Sequence, residues 1–193
     1  MTDATPQEIL DFWFSDRDES GAAIFRKAWF EKNEAFDKAI RDGFETTYTK
    51  AAARELEAWR EQPHSALALV LTLDQFSRNM FRDDPKMYAA DSYSTEVAKA
   101  SLAKGYDKMF GMVQGWFFYM PLMHSEHLAD QDACVALFEQ LPQDETVQRG
   151  LESAVTHRDI VARFGRFPHR NEILSREPTP EEKAFLLEPN SSF

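Results

Sequence analysis

Residues 64–81 read HSALALVLTLDQFSRNMF. From Ala66 to Leu71 the side chains are apolar all round, the mark of a helix packed on every side. The second half, Leu73 to Asn79, then places Asp74, Gln75, Arg78 and Asn79 on the same helix. Upstream, Phe44 to Arg60 carries Tyr48, Ala52, Leu56 and Trp59 on one stripe, and Gln62-Pro63 breaks it. Ala22 to Arg41 has helical spacing through Ile24, Phe25, Ala28, Trp29, Phe36 and Ile40, with Gly43 as its stop. Thr5-Pro6-Gln7-Glu8 opens the first helix as a capping box with proline at the first helical position. Downstream, Lys86 to Lys104 is a helix stopped by Gly105. Gly111 to His127 is a second greasy helix, kinked at Pro121. Asp130 to Leu141 is short and amphipathic. Asp144 to Phe164 is long, with Val147, Leu151, Val155, Ile160 and Phe164 inward and Gly165 as its left-handed stop. His169 to Leu174 is a short helix, and Thr179-Pro180-Glu181-Glu182 repeats the opening device. No segment reads as strand. The expected fold is all-α, about ten helices packed as antiparallel pairs in one domain over 1–193.

The totals narrow the function classes. The 193 residues carry a net charge of −11 and 13% aromatics, which fits a globular protein and not a disordered one. That charge disfavours a nucleic-acid partner or an anionic membrane surface. The longest apolar run, Trp116 to Met123, is eight residues, where a span needs about 20. The first residues, Met-Thr-Asp-Ala-Thr-Pro, lack a basic and apolar leader, so a cytoplasmic location is expected. Cys134, the single cysteine, sits among Ala, Val, Leu and Phe and reads as a buried thiol.

Three polar sets need an explanation. In the first, Asp74 and Arg78 are four apart and face each other, as do Gln75 and Asn79. They form either an internal pair that fixes packing or the wall of a pocket. In the second, His124, Glu126, His127 and Asp130 follow the greasy helix, with the histidines three apart on one face. That spacing departs from metalloprotease patterns, so no metal is expected, and helix capping or carboxylate bonding is the simpler role. The third is His157 to Asn171, HRDIVARFGRFPHRN, with four arginines against one acid. Asp159 and Arg163 can pair, and Arg166 is held between Phe164 and Phe167. His157, Arg158, Arg166, His169 and Arg170 are left to cap helices, pair with distant acids, dock a protein or bind an anion. No nucleophile-and-base pattern, phosphate loop or dinucleotide fingerprint occurs. Catalysis is therefore unsupported, with His124, His127, His157 and Asp74 as the acid–base candidates. No cofactor is indicated.

Three blocks, Leu73 to Arg82, Tyr119 to Glu126 and His157 to Asn171, resemble the signature blocks of the bacterial domain of unknown function 924 family. The closing Pro189-Asn190-Ser191-Ser192-Phe193 resembles its usual ending. The resemblance implies a tetratricopeptide-like, right-handed stack of helix pairs and no activity. Where the family usually has proline after Asp-Gln-Phe, this chain has Ser77, which should straighten that turn.

The leading functional expectation is a small carboxylate or phosphate ligand in a cleft where the three sets converge. Arg163, Arg166 and Arg170 would face the anion, and Gln75, Asn79 and His124 would orient it. The alternative is a peptide- or protein-interaction module in which the polar sets form a structural network.

Overall fold

The computed structural model describes residues 3–189 and 191–192. Met1, Thr2, Asn190 and Phe193, parts of the leader reading and of the closing motif, lie outside the described residues. The described chain is helical, with no strand and one isolated bridge, Arg17–Ala23. Two compact units form: residues 1–82 with 86–121, and residues 83–85 with 122–193. No helix among the described residues is long and apolar enough to cross a membrane.

The first unit opens with α1 (Pro6–Trp13). Thr5 and Glu8 close the capping box, and Ile9, Leu10 and Trp13 are buried. The helix expected over 22–41 forms only from Glu34 onward. Before that the chain doubles back, with the Ile24 amide bonded to the Asp16 carbonyl at 3.1 Å. Only a 3-10 turn, Lys27–Trp29, follows. The reason is Trp29, which stacks on Trp13 at 5.7 Å and donates its indole N–H to the Trp13 carbonyl. That pairing outweighs a modest helix propensity.

Asn33 then caps α2 (Glu34–Ala52), accepting from the Phe36 amide at 3.0 Å. Gly43 lies inside α2 and does not end it. One interior glycine costs about 1 kcal/mol, which burial of Ile40, Phe44 and Tyr48 on that helix exceeds. Beyond α2 only a 3-10 turn, Glu57–Glu61, precedes Pro63.

The buried stretch forms α3 (Pro63–Val70), a π-helical segment Leu71–Phe76 and α4 (Ser77–Met80), in direct succession. The turn before Ser77 is thus widened, not straightened. Its backbone acceptors are taken up by side chains: Ser77 Oγ and Arg78 Nη1 both donate to the Asp74 carbonyl, at 2.9 and 2.7 Å. After a 3-10 turn, Pro85–Tyr88, comes α5 (Asp91–Ala103), shorter than the expected 86–104, and Gly105 at φ +70 turns the chain.

The greasy stretch expected as one kinked helix is three pieces: α6 (Met112–Gly115), a 3-10 turn Trp116–Phe118, and α7 (Met120–Met123). The Tyr119 amide bonds to Trp116 O at 2.7 Å, tightening the chain just ahead of Pro121. Gly115 is required here, since a Cβ would lie 2.5 Å from the Asp107 carbonyl oxygen. Phe76, Trp13, Trp29 and Phe117 meet edge-on and stacked in this unit's core.

In the second unit α8 (Leu128–Glu139) packs on α9 (Glu145–Phe164). Asp144 caps α9, and Gly165 at φ +69 ends it. Val147 and Ile160 are buried along α9, and so are Ala154, His157 and Val161, which the expected inward set omitted. The helix expected over 169–174 is one 3-10 turn, Pro168–Arg170. The last helix, α10 (Pro180–Phe185), starts with the Thr179–Glu182 capping box. Ile160, Val161, Phe167 and Phe185, with Phe164 against them, form a small core. Cys134 is fully buried, and burial pushes its thiol up to about 12.

Candidate functional site

The first polar set lies on the π segment and α4. Asp74 is 1% exposed. Arg78 sits 3.2 Å from the Asp74 carboxylate and makes two 3.0 Å bonds to Asp91 in the first turn of α5. Burial opposes the charge on Arg78, but the Asp74 and Asp91 carboxylates more than offset that, so its pKa is raised. The expected Gln75–Asn79 amide pair is not made. Gln75 donates to Asp74 at 2.6 Å, whereas Asn79 donates to Asp37 at 2.7 Å, because a carboxylate is the stronger acceptor. The bonds named here all lie inside the first unit.

The second and third sets meet in the second unit. Glu126 is their hub. One of its oxygens accepts from the Phe167 amide at 2.8 Å, and Arg176 grips both oxygens at 2.7 and 3.0 Å. Burial would raise the Glu126 pKa, but these bonds prevail and lower it. Arg176 also donates to Asn171 Oδ1 and to the Phe167 carbonyl, both at 3.0 Å. Asn171 in turn donates to Glu182 at 3.3 Å.

Glu182 is the second hub. It closes the capping box of α10 and takes two bonds from Arg166, at 2.6 and 2.8 Å. The Arg166 bonds, followed by the Thr179 amide, pull its carboxyl down to about 2. Arg166 is therefore held by a carboxylate and not between two rings. Arg163 does not pair with Asp159: it pairs with Glu181 at 3.0 Å and stacks on Phe164 and Phe185. Asp159 is taken by its neighbour Arg158 at 2.7 Å. Its contact with the Phe185 ring directs Arg163 toward α10, where Glu181 lies.

Arg170 is buried over the Phe167 ring at 4.5 Å and donates to the His124 carbonyl at 3.0 Å. His157 is buried at 5.6 Å from Phe167 and 6.4 Å from His124, with Nδ1 2.7 Å from the Ser153 carbonyl. The chain leaves helical geometry after Met123, so His124 and His127 do not share a helical face. His127 is exposed at the start of α8 and makes no side-chain cap. Asp130 is buried and accepts from Ser125 at 2.8 Å.

Burial, with His124 and Arg170 nearby, pushes His157 down to about 3, and burial pushes His169 down to about 4. Both imidazoles are neutral at pH 7. The unfolded chain takes up these protons near the ordinary 6.5, whereas the folded chain does not until far lower pH. Stability attached to a depressed histidine pKa is thus present above 6.5 and is lost as pH falls toward 3. We expect unfolding at pH 5 to need about 2 kcal/mol less than at pH 7 on account of His157 alone. Urea titrations of wild type and His157→Phe at both pH values check this, and the variant should show the smaller difference.

A depression of about 630 Å3 opens beside this network. Its lining includes His169 and Asn171 from the basic stretch, together with Ser175 and Arg176. Arg176, Glu182 and Asp91 were not among the residues picked out from sequence. Arg176 stands outside the basic stretch, and Glu182 read only as a cap. The signal that could have found the acids is the requirement that a buried guanidinium meet a carboxylate.

The family model for bacterial proteins of unknown function, DUF924, matches residues 9–190. No curated protein matches. A solved structure of a protein of unknown function from Agrobacterium tumefaciens is similar at 41% identity and a TM-score of 0.83, over 94% of this chain and 96% of that one. By sequence and by fold, the chain belongs to the DUF924 family of bacterial proteins of unknown function.

Proposed function

We propose that the second unit binds a small ligand with a carboxylate or phosphate end in the depression beside His169 and Asn171. The supporting observation is a coincidence of place. A depression of about 630 Å3 is of ligand size, and Pro168, His169 and Asn171 from the end of the basic stretch line it together with Arg176. On this reading the Glu126 and Glu182 hubs are scaffold, holding Asn171 and Arg176 rigidly at the wall. Arg163 and Arg166 are already paired with Glu181 and Glu182, so they take a supporting part instead of facing the anion.

The test is thermal shift against carboxylated and phosphorylated metabolites, in wild type and His169→Ala. At a hundredfold excess over Kd a true ligand stabilises by about 2.7 kcal/mol. The shift should shrink in the variant. No shift from any anion, or equal shifts in both proteins, would count against the reading.

A second reading, a peptide-interaction module, is supported by the first unit. Phe25 and Phe30, 42% and 51% exposed, stack at 5.5 Å beside exposed Ile24. Tetratricopeptide-like stacking is likewise our proposal, supported by the packing of consecutive α8 and α9 on each other. So is a single domain, supported by one family match across 9–190. A cytoplasmic site is proposed on the single buried thiol.

A further inference from the structure

We infer that Ser175 and Arg176 together select a monocarboxylate with an apolar body, an inference that rests on the proposed ligand reading of the depression. Ser175 lines the depression with its backbone at φ +52, the left-handed region. A serine there bears a steric cost that glycine would not. The other bonds of the turn are backbone ones: Ser175 N to Glu172 O at 3.0 Å and Arg176 N to Asn171 O at 2.7 Å. Glycine could make both. Ser175 is exposed, and its hydroxyl makes no hydrogen bond to another of the described residues, so it is open to a ligand.

Its neighbour Arg176 is nearly saturated. Nε donates to Asn171, Nη2 donates to Glu126 and Phe167, and Nη1 donates once to Glu126. A guanidinium has five N–H groups, so one on Nη1 is left for a ligand. That N–H and the serine hydroxyl make two donors on adjacent residues, enough for the two oxygens of one carboxylate.

The charge around them sets the ligand's valence. The Arg176 charge is matched by Glu126, and Glu172 and Glu177 also line the depression. A phosphate dianion would meet these two acids with twice the charge of a carboxylate, which brings one negative charge and delocalises it. Pro168, Pro178 and Leu186 complete the lining and offer an apolar surface to the rest of the molecule.

The experiment is calorimetric titration of wild type and Ser175→Gly with hexanoate, hexyl phosphate and hexanol, alongside thermal melts. Hexanoate should bind wild type at least about tenfold more tightly than the other two, since the distinguishing contacts are charge-assisted. Ser175→Gly should weaken hexanoate about tenfold and raise the unliganded Tm by about 2 °C. Equal or tighter binding of hexyl phosphate overturns the monocarboxylate assignment. Unchanged hexanoate affinity in Ser175→Gly, or a lowered Tm, overturns the role of the serine. Failure of every probe to bind wild type overturns the ligand reading itself, and this inference with it.

Discussion

Arg78→Ala should lower the melting temperature by about 8 °C, from a loss of about 3 kcal/mol. Arg78 faces two carboxylates, Asp74 at 3.2 Å and Asp91 at 3.0 Å, and also donates to the Asp74 carbonyl. Removing it leaves Asp74, 1% exposed, with its negative charge beside that of Asp91. Two carboxylates without their shared cation repel, and one must take up a proton. The π segment loses a donor at the same stroke, because Arg78 no longer donates to the Asp74 carbonyl. Combining Arg78→Ala with Asp91→Asn should recover part of the loss. Thermal melts of the three variants check this, and additive losses would show that the two residues do not share one interaction.

Glu126→Ala should cost about 3 kcal/mol, for a comparable reason in the second unit. Arg176 loses both oxygens of its main partner, and the Phe167 amide loses its acceptor. Phe167 is fully buried between the rings of His157 and His169 and the Arg170 guanidinium. Displacing it therefore disturbs the whole cluster. The pH dependence separates this part from the histidines. Glu126 and Glu182 have lowered pKa values, so their stability is complete above the ordinary 4.5 and fades as pH falls, toward about 2 for Glu182. Loss between pH 6.5 and 5 belongs to the histidines; below 4.5 the carboxylates add theirs, while His157 goes on contributing down to about 3. In Glu126→Ala the lower of these two transitions should shrink and the upper should persist, as measured by urea unfolding across that range.

Capping chemistry made the helix ends at Thr5, Gly105, Gly165 and Thr179 legible, because a cap depends on a few neighbouring residues. The span 22–33 was not legible. Its apolar spacing suits a helix, but Trp29 answers to Trp13, sixteen residues earlier, and such a partner leaves no local mark. Gly43 misled for the mirror reason: it is a stop only when nothing beyond it is buried on the same face, and Phe44, Thr47 and Tyr48 are. Periodicity also cannot announce a π segment, since the residues of 71–76 suit either helix.

The basic stretch was legible as a place but not as a set of bonds. Spacing suggested Asp159 for Arg163 and aromatic rings for Arg166. The acids that engage them, Glu181 and Glu182, sit on α10, and only the folded chain brings α10 against the end of α9. Local pairing rules cannot choose between a neighbour and a partner sixteen or eighteen residues away.

Arg166 and Arg176 of the second unit are engaged by its own carboxylates, Glu182 and Glu126, and on the proposed reading they brace the depression. A double-mutant cycle between Glu126 and Arg176, read from urea unfolding at pH 7, measures this directly. The predicted coupling is about 2 kcal/mol, as for a bidentate, largely buried pair. A coupling below about 0.5 kcal/mol, the range of solvated surface pairs, would contradict it.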